Sequence, residues 1–262
     1  MKLYLVTDGS DLADLIRIGA RRILVSYWQM RTPYARNRIL YNIQKYGLDC
    51  FLDSGAYSAY NSGVKITLEA YTSFVKQFGK YFTTVASLDV LFNPEQSLDN
   101  YNDMLRWGCK NVLPVWHYTE PWSYFDEYCK TTDYICVGGL VGLKRKVRLK
   151  AIREVLARIP KGIKIHLFGL TDIILIKKFG RQIDSCDSST WKSGQRFAIT
   201  HFQGGGQLFR PRGTDGKEYT PKGGVALSWV NIRTYLELEK EINEYKVNPT
   251  ILEEARSIET AS

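Results

Sequence analysis

Tyr134-Ile-Cys-Val-Gly138-Gly-Leu-Val-Gly142, a helical pattern over 147–159, and Lys164-Ile-His-Leu-Phe168 make one unit of apolar run, amphipathic stretch and apolar run. A short apolar run that ends in glycines reads as a buried strand, and the stretch after it carries apolar residues at helical spacing. The same alternation extends outward in both directions. Residues 22–27, 50–53, 84–89, 111–116 and 182–185 read as further strands, and 67–78, 94–107, 121–129 and 171–179 as helices. Repeated β-α units build a parallel sheet, either closed as a barrel or open and doubly wound. Polar signatures at five or six of the strand ends favour closure, because a TIM-type (β/α)8 barrel gathers chemistry at many strand ends, whereas an open sheet concentrates it at one switch point. The expected fold is therefore an α/β single-domain (β/α)8 barrel over 1–262. Its eighth strand comes from 1–6 or from a segment after Arg196. A Gly/Arg-rich loop is expected at about 202–224, and an outer helix at about 229–245.

The composition agrees with a globular chain: of 262 residues, 44% are hydrophobic and 24% charged, which excludes a mainly disordered protein. Aromatic residues at 13% can line a pocket for a flat heterocycle or fill a core. The net charge of +9 points to a polyanionic partner, nucleic acid first, with a solvated basic surface as the alternative. Its densest stretch holds Lys144, Arg145, Lys146 and Arg148, and a sparser set includes Arg196, Arg210 and Arg212. The five cysteines are widely spaced without a Cys-x-x-Cys pair, so reduced thiols are expected rather than disulfides or a zinc knuckle. No apolar stretch approaches the ~20 residues of a membrane span, and the amino terminus lacks a signal-peptide core. A cytoplasmic protein is expected.

The strand ends supply candidates for chemistry. Asp53, in Phe51-Leu-Asp53-Ser-Gly-Ala-Tyr57, and Asp187, in Asp184-Ser-Cys-Asp187-Ser-Ser-Thr-Trp191, suggest an acid/base group paired with a nucleophile. Asp53 also fits a turn cap through Ser54-Gly55. Asp184 is a second candidate for the reactive group. Between them come Asp89, His117, the glycines of 138–142 and Phe168-Gly169. The glycines fit equally a tight βα turn, Tyr57 and Phe168 fit core packing, and His166 within its strand reads as a satisfied interior histidine.

Four motifs, in order over roughly residues 50–191, resemble the queuine/archaeosine tRNA-guanine transglycosylase superfamily. Asp53-Ser-Gly-Ala-Tyr57 resembles its Asp-Ser-Gly-Gly-Phe, and Gly138-Gly-Leu-Val-Gly142 its Gly-Gly-Leu-Ala-Val-Gly. Leu167-Phe-Gly169 resembles its Leu-Met-Gly, and Asp184-Ser-Cys-Asp187 its Asp-Met-Phe-Asp. The tRNA enzymes carry a zinc site of three cysteines and a histidine after the nucleophile. No cysteine follows Cys186 here, so the chain looks most like the zinc-free bacteriophage branch that inserts 7-deazaguanines into DNA. Ser26-Tyr27 and the run Asp187-Ser-Ser-Thr-Trp191 also look like that branch.

The resemblance implies a barrel without the zinc subdomain that exchanges guanine for a 7-deazaguanine, such as 7-cyano-7-deazaguanine, with no cofactor or metal. Asp187 would attack C1′ of the sugar, and Asp53 would be the general acid/base, with Asp184 supporting the nucleophile. Asp89 would accept hydrogen bonds from the guanine edge, with Ser54 and His117 beside it. Gly138, Gly139, Leu140 and Gly169 would offer backbone groups, and Tyr57 and Phe168 would stack on the two faces of the base. The polymer would be double-stranded DNA in the host cytoplasm, held by Lys144, Arg145, Lys146, Arg148, Arg196, Arg210 and Arg212. A compact tRNA enzyme and a catalytically silent nucleic-acid-binding barrel are the alternatives.

Overall fold

A computed structural model describes residues 1–193, 200–201, 208–209 and 224–247. Arg196, Arg210, Arg212 and, apart from Leu208–Phe209 and Gly224, the expected 202–224 loop lie outside the described residues. In chain order the elements are β1 (Lys2–Val6), α1 (Leu12–Ile18), β2 (Arg22–Ser26), α2 (Pro33–Tyr46), β3 (Asp49–Asp53), α3 (Ala56–Asn61), α4 (Leu68–Phe78) and β4 (Thr84–Ala86). Next come α5 (Pro94–Arg106), β5 (Val112–Leu113), β6 (Val115–His117), α6 (Trp122–Thr131), β7 (Tyr134–Gly138), α7 (Arg145–Arg158), β8 (Lys164–Leu167), α8 (Ile173–Phe179) and β9 (Ser185–Ser188). A two-stranded hairpin, β10 (Thr200–His201) and β11 (Leu208–Phe209), precedes α9 (Gly224–Val247).

The nine-strand sheet is parallel throughout, in the order β5-β4-β3-β2-β1-β9-β8-β7-β6. Its two ends, β5 and β6, are halves of one stave split at Pro114. Proline has no N–H to give the ladder, yet its carbonyl accepts from the Cys136 N–H at 2.9 Å. The ladder thereby closes on itself as a barrel of TIM type, ringed by helices. Of the two candidates for the eighth stave, β1 takes the place: it pairs with both β2 and β9. Among the described residues, the strands after Arg196 pair only with each other, in the small antiparallel sheet.

Local chemistry sets the helix starts. Thr67 Oγ1 accepts from the Ala70 N–H at 3.2 Å, and Asn93 Oδ1 from the Gln96 N–H at 3.0 Å, each satisfying an amide that a first turn leaves open. Pro33 and Pro94 stand in the first turns of α2 and α5, where the missing N–H costs nothing. The outer helix begins at Gly224, earlier than the expected 229. It buries Ile232, Tyr235, Leu238 and Ile242. Glu239 joins it to the barrel, accepting from the Leu3 N–H at 2.7 Å and pairing with Arg22 at 2.9 Å.

Alternation along the strands separates two apolar layers. Tyr4, Leu24, Phe51, Ala86, Leu113, Val115 and Cys136 plug the barrel, while Leu5, Val25, Leu52, Val85 and Val137 pack outward with the helices. Moving two residues on from Phe51 and Val115 brings Asp53 and His117 over that plug at the carboxyl-terminal mouth. The final stave lies at Ser185–Ser188, not at the 182–185 expected from the apolar pattern. Its inward side chains are polar because they hydrogen-bond across the interior, to His166 and Tyr134.

Candidate active site

The mouth collects four carboxylates and two histidines. Asp53, half-buried at the end of β3, accepts from the Gly55 N–H through Oδ2 at 3.0 Å, so it does cap the turn that its sequence suggested. Burial, followed by the charges of Asp89 and Asp187, pushes its carboxyl up to about 7. A carboxyl group of that kind exchanges protons near neutral pH. Gly55 can follow it because φ is 76°, and a Cβ there would lie 2.5 Å from Trp28 Cβ.

Asp89 follows β4 on a buried loop. Ser54 Oγ donates to its Oδ1 at 2.7 Å, and His117 Nε2 stands 3.1 Å from its Oδ2. On the other side of the ring, His117 Nδ1 lies 3.6 Å from Glu120 Oε1, and Glu120 Oε2 accepts the His117 backbone N–H at 2.9 Å. Both ring nitrogens therefore face carboxylates, which fits the doubly protonated imidazolium. Burial opposes that charge, but the hydrogen bond to Asp89 and the charges of Asp89, Glu120 and Asp53 outweigh it and raise the His117 pKa. Burial likewise raises the Glu120 carboxyl, against the His117 N–H and charge. Glu120 was not read from the sequence. Its place three residues after a strand-end histidine was the available signal.

Gly138 lies under that imidazole: a Cβ on it would sit 2.4 Å from His117 Cδ2. Gly139 turns the chain at φ 75°. These two glycines thus serve both a close approach and the tight turn. Leu140 is different. Its side chain is buried in the outer core, and its carbonyl accepts from Arg148 Nε at 3.1 Å.

Asp187, on β9, is buried at the opposite side of the mouth. Its Oδ1 accepts from the Gly169 N–H at 2.9 Å and faces His166 Nε2 at 3.3 Å. Phe168 closes over the plug with its ring centroid 4.6 Å from that of His166 and 5.8 Å from that of Phe51. Tyr57, by contrast, is 59% exposed in the first turn of α3. Asp184 sits apart from the mouth, at the opposite end of β9. Its Oδ2 accepts from the Ile165 N–H at 3.0 Å, so it fixes the β8–β9 register, while His166 and Gly169 hold Asp187. His166 is an interior histidine, as its strand position suggested: the ring is fully buried and has a partner on both nitrogens, Ser185 Oγ and Asp187 Oδ1.

The basic stretch divides. Lys144 and Lys146 are exposed. Arg145 Nε pairs with Asp172 at 2.5 Å, and Arg148 donates to the carbonyls of Leu140 and Leu143, bracing the loop between β7 and α7. A cleft of about 970 Å³ opens beside the mouth between α3, the start of α4 and α5, with Asp89, Leu88 and Ala56 at its inner end. Asp53 and Asp187 do not line it. Among the described residues, no group of three His, Cys, Asp or Glu side chains is placed to hold a metal ion, and no helix is long and apolar enough to cross a membrane. All five cysteines are free. No family model matches the chain, and no curated protein does.

Proposed function

We propose that the protein is a base-exchange transglycosylase that replaces guanine in a nucleic acid, duplex DNA foremost, with a 7-deazaguanine. The observation that carries the reading is the contrast between two carboxylates at one mouth. Asp53 is raised to about 7, whereas Asp187 Oδ1 accepts from the Gly169 N–H and faces His166 Nε2, with no partner on Oδ2 among the described residues. Paired carboxyl groups in unlike environments are the usual signature of an acid/base and nucleophile division of labour.

In this reading, Asp187 Oδ2 forms a bond to C1′ as the C1′–N9 bond to guanine breaks, and Asp53 gives its proton to the departing base. The positive, oxocarbenium-like sugar is stabilised by the same carboxylate that captures it. The incoming base then loses its N9 proton to Asp53 and attacks C1′, expelling Asp187. Asp89 keeps one lone pair on each oxygen after Ser54 and His117 are counted, enough to accept the N1–H and amino group of a guanine edge. The imidazolium of His117 pairs with that carboxylate at 3.1 Å and holds it in place. A duplex base reaches such a recessed site only after flipping out, with exposed lysines such as Lys144 and Lys146 available for the backbone.

The test is incorporation of radiolabelled guanine into duplex DNA or into unmodified tRNA by the intact protein and by Asp187→Ala. Label entering DNA only with the intact protein supports the reading, and label entering tRNA reassigns the polymer. No label in either, with 7-cyano-7-deazaguanine also refused, would leave a binding-only barrel.

A further inference from the structure

A hydrogen-bond chain runs from Asp187 into the barrel interior. His166 Nε2 lies 3.3 Å from Asp187 Oδ1, His166 Nδ1 lies 2.6 Å from Ser185 Oγ, and Ser185 Oγ lies 2.5 Å from the Tyr134 hydroxyl. His166 and Ser185 are fully buried, and the imidazole is packed among Phe51, Phe168 and Tyr4, at centroid distances of 4.6, 4.6 and 6.1 Å. The ring can neither turn over nor reach solvent without displacing three aromatic neighbours.

The chain has a direction. Burial holds the Tyr134 phenol well above its ordinary range, so it stays protonated and can donate. Donation from Tyr134 to Ser185, and from Ser185 to His166 Nδ1, leaves the imidazole proton on Nε2, aimed at Asp187. The reverse order would set the Nε2 lone pair against a carboxylate oxygen. With that proton and the Gly169 N–H both on Oδ1, the second oxygen is the one left for attack. Oδ1 keeps both donors when Oδ2 is esterified, so the arrangement serves before and after the bond to the sugar forms.

We infer that His166 is a positioning residue for Asp187, locked as the Nε2–H tautomer by the buried Ser185–Tyr134 hydroxyl chain. The inference takes the nucleophile from the functional reading above, but its first test does not depend on activity. With three histidines in the chain, ¹⁵N-imidazole NMR of the intact protein, assigned with His117→Gln and His166→Gln, reads the tautomer directly. An Nε2–H, Nδ1-unprotonated ring at neutral pH, becoming a mixture of tautomers in Ser185→Ala, is expected. An Nδ1–H ring or an imidazolium would overturn the inference whether or not any polymer is modified.

The second test is kinetic. His166→Phe keeps an aromatic ring, somewhat larger than the imidazole, and removes the donor. It should keep the thermal midpoint within a few degrees and leave the KM for polymer nearly unchanged, while kcat falls on the order of 10- to 100-fold. His166→Gln, which returns an N–H near the Nε2 position, should recover most of that loss. An undiminished kcat in a folded His166→Phe protein, or a loss that His166→Gln does not restore, would refute the positioning role. A wild-type protein that exchanges no base would refute the functional reading and leave the tautomer result to decide the inference.

Discussion

Asp53→Asn should make the protein more stable and inactive, with the stability gain confined to pH values above the ordinary carboxyl range. In the folded chain the Asp53 carboxyl is raised from 3.8 to about 7. Below about pH 3.8 it is protonated in both folded and unfolded chains, so it contributes no penalty. As pH rises from there towards 7, the unfolded chain releases the proton while the folded chain retains it. The folded state then binds more protons, and stability falls with pH until the folded group ionises as well. That gap corresponds to a ceiling of roughly 4 kcal/mol at ~1.4 kcal/mol per tenfold. Asp53 is half-buried at an open mouth, and solvent there screens the neighbouring carboxylates, so we expect about 2 kcal/mol. Asparagine keeps the acceptor for the Gly55 N–H but cannot ionise. Urea unfolding of both proteins between about pH 4 and 8.5 should show curves that coincide at the acid end and separate by about 2 kcal/mol above about pH 7, with the variant more stable. Base exchange should fall on the order of 10²- to 10⁴-fold, the usual contribution of a general acid/base. A stability difference that is flat with pH, or a wild type that is the more stable protein at about pH 8, would refute the assignment of a strained, proton-holding Asp53.

Three further outcomes follow from the geometry. Gly138→Ala places a methyl group 2.4 Å from His117 Cδ2; the imidazole must move off Asp89, and we expect a loss of about 1–3 kcal/mol in denaturant unfolding together with a raised KM for the free base. Replacing Lys144 and Lys146 by Ala should weaken binding evenly across DNA sequences and lower the slope of log K against log salt by roughly one for each phosphate no longer neutralised. The same change at Arg148 should instead loosen the loop that it braces through the Leu140 and Leu143 carbonyls, which proteolysis would detect.

Much of the barrel is legible in the chain because buried parallel strands are written as short apolar runs that end in polar or glycine residues. The misreadings have physical causes. Ser185-Cys-Asp-Ser188 is a strand that does not look apolar, because Ser185 and Asp187 face inward to His166 and Tyr134 rather than to a hydrocarbon core. Pro114 divides one stave in two without opening the barrel. Helix α2 leaves only a faint apolar pattern, because just Ile39, Leu40 and Ile43 of its 14 residues are buried. At the site, strand-end position brings Asp53, His117 and Asp187 to one mouth, since alternation sends every second side chain inward, and Asp89 joins them from the loop after β4. The partners did not follow from position. Glu120 depends on a loop folding back, His166 on a chain of hydroxyls from two neighbouring staves, and Arg148 on the Leu140 and Leu143 carbonyls that take it from the basic surface, whereas Arg145 stays exposed beside Asp172.

Under the proposed function, Asp187 carries a glycosyl ester during turnover. Intact protein incubated with a guanine-containing duplex oligonucleotide and quenched in denaturant should yield a covalent adduct whose mass is protein plus oligonucleotide less one guanine, absent from Asp187→Asn. Peptide mapping should place the sugar on Asp187. An adduct on Asp184 or on any other residue, or base exchange that proceeds undiminished in Asp187→Asn, would contradict the account.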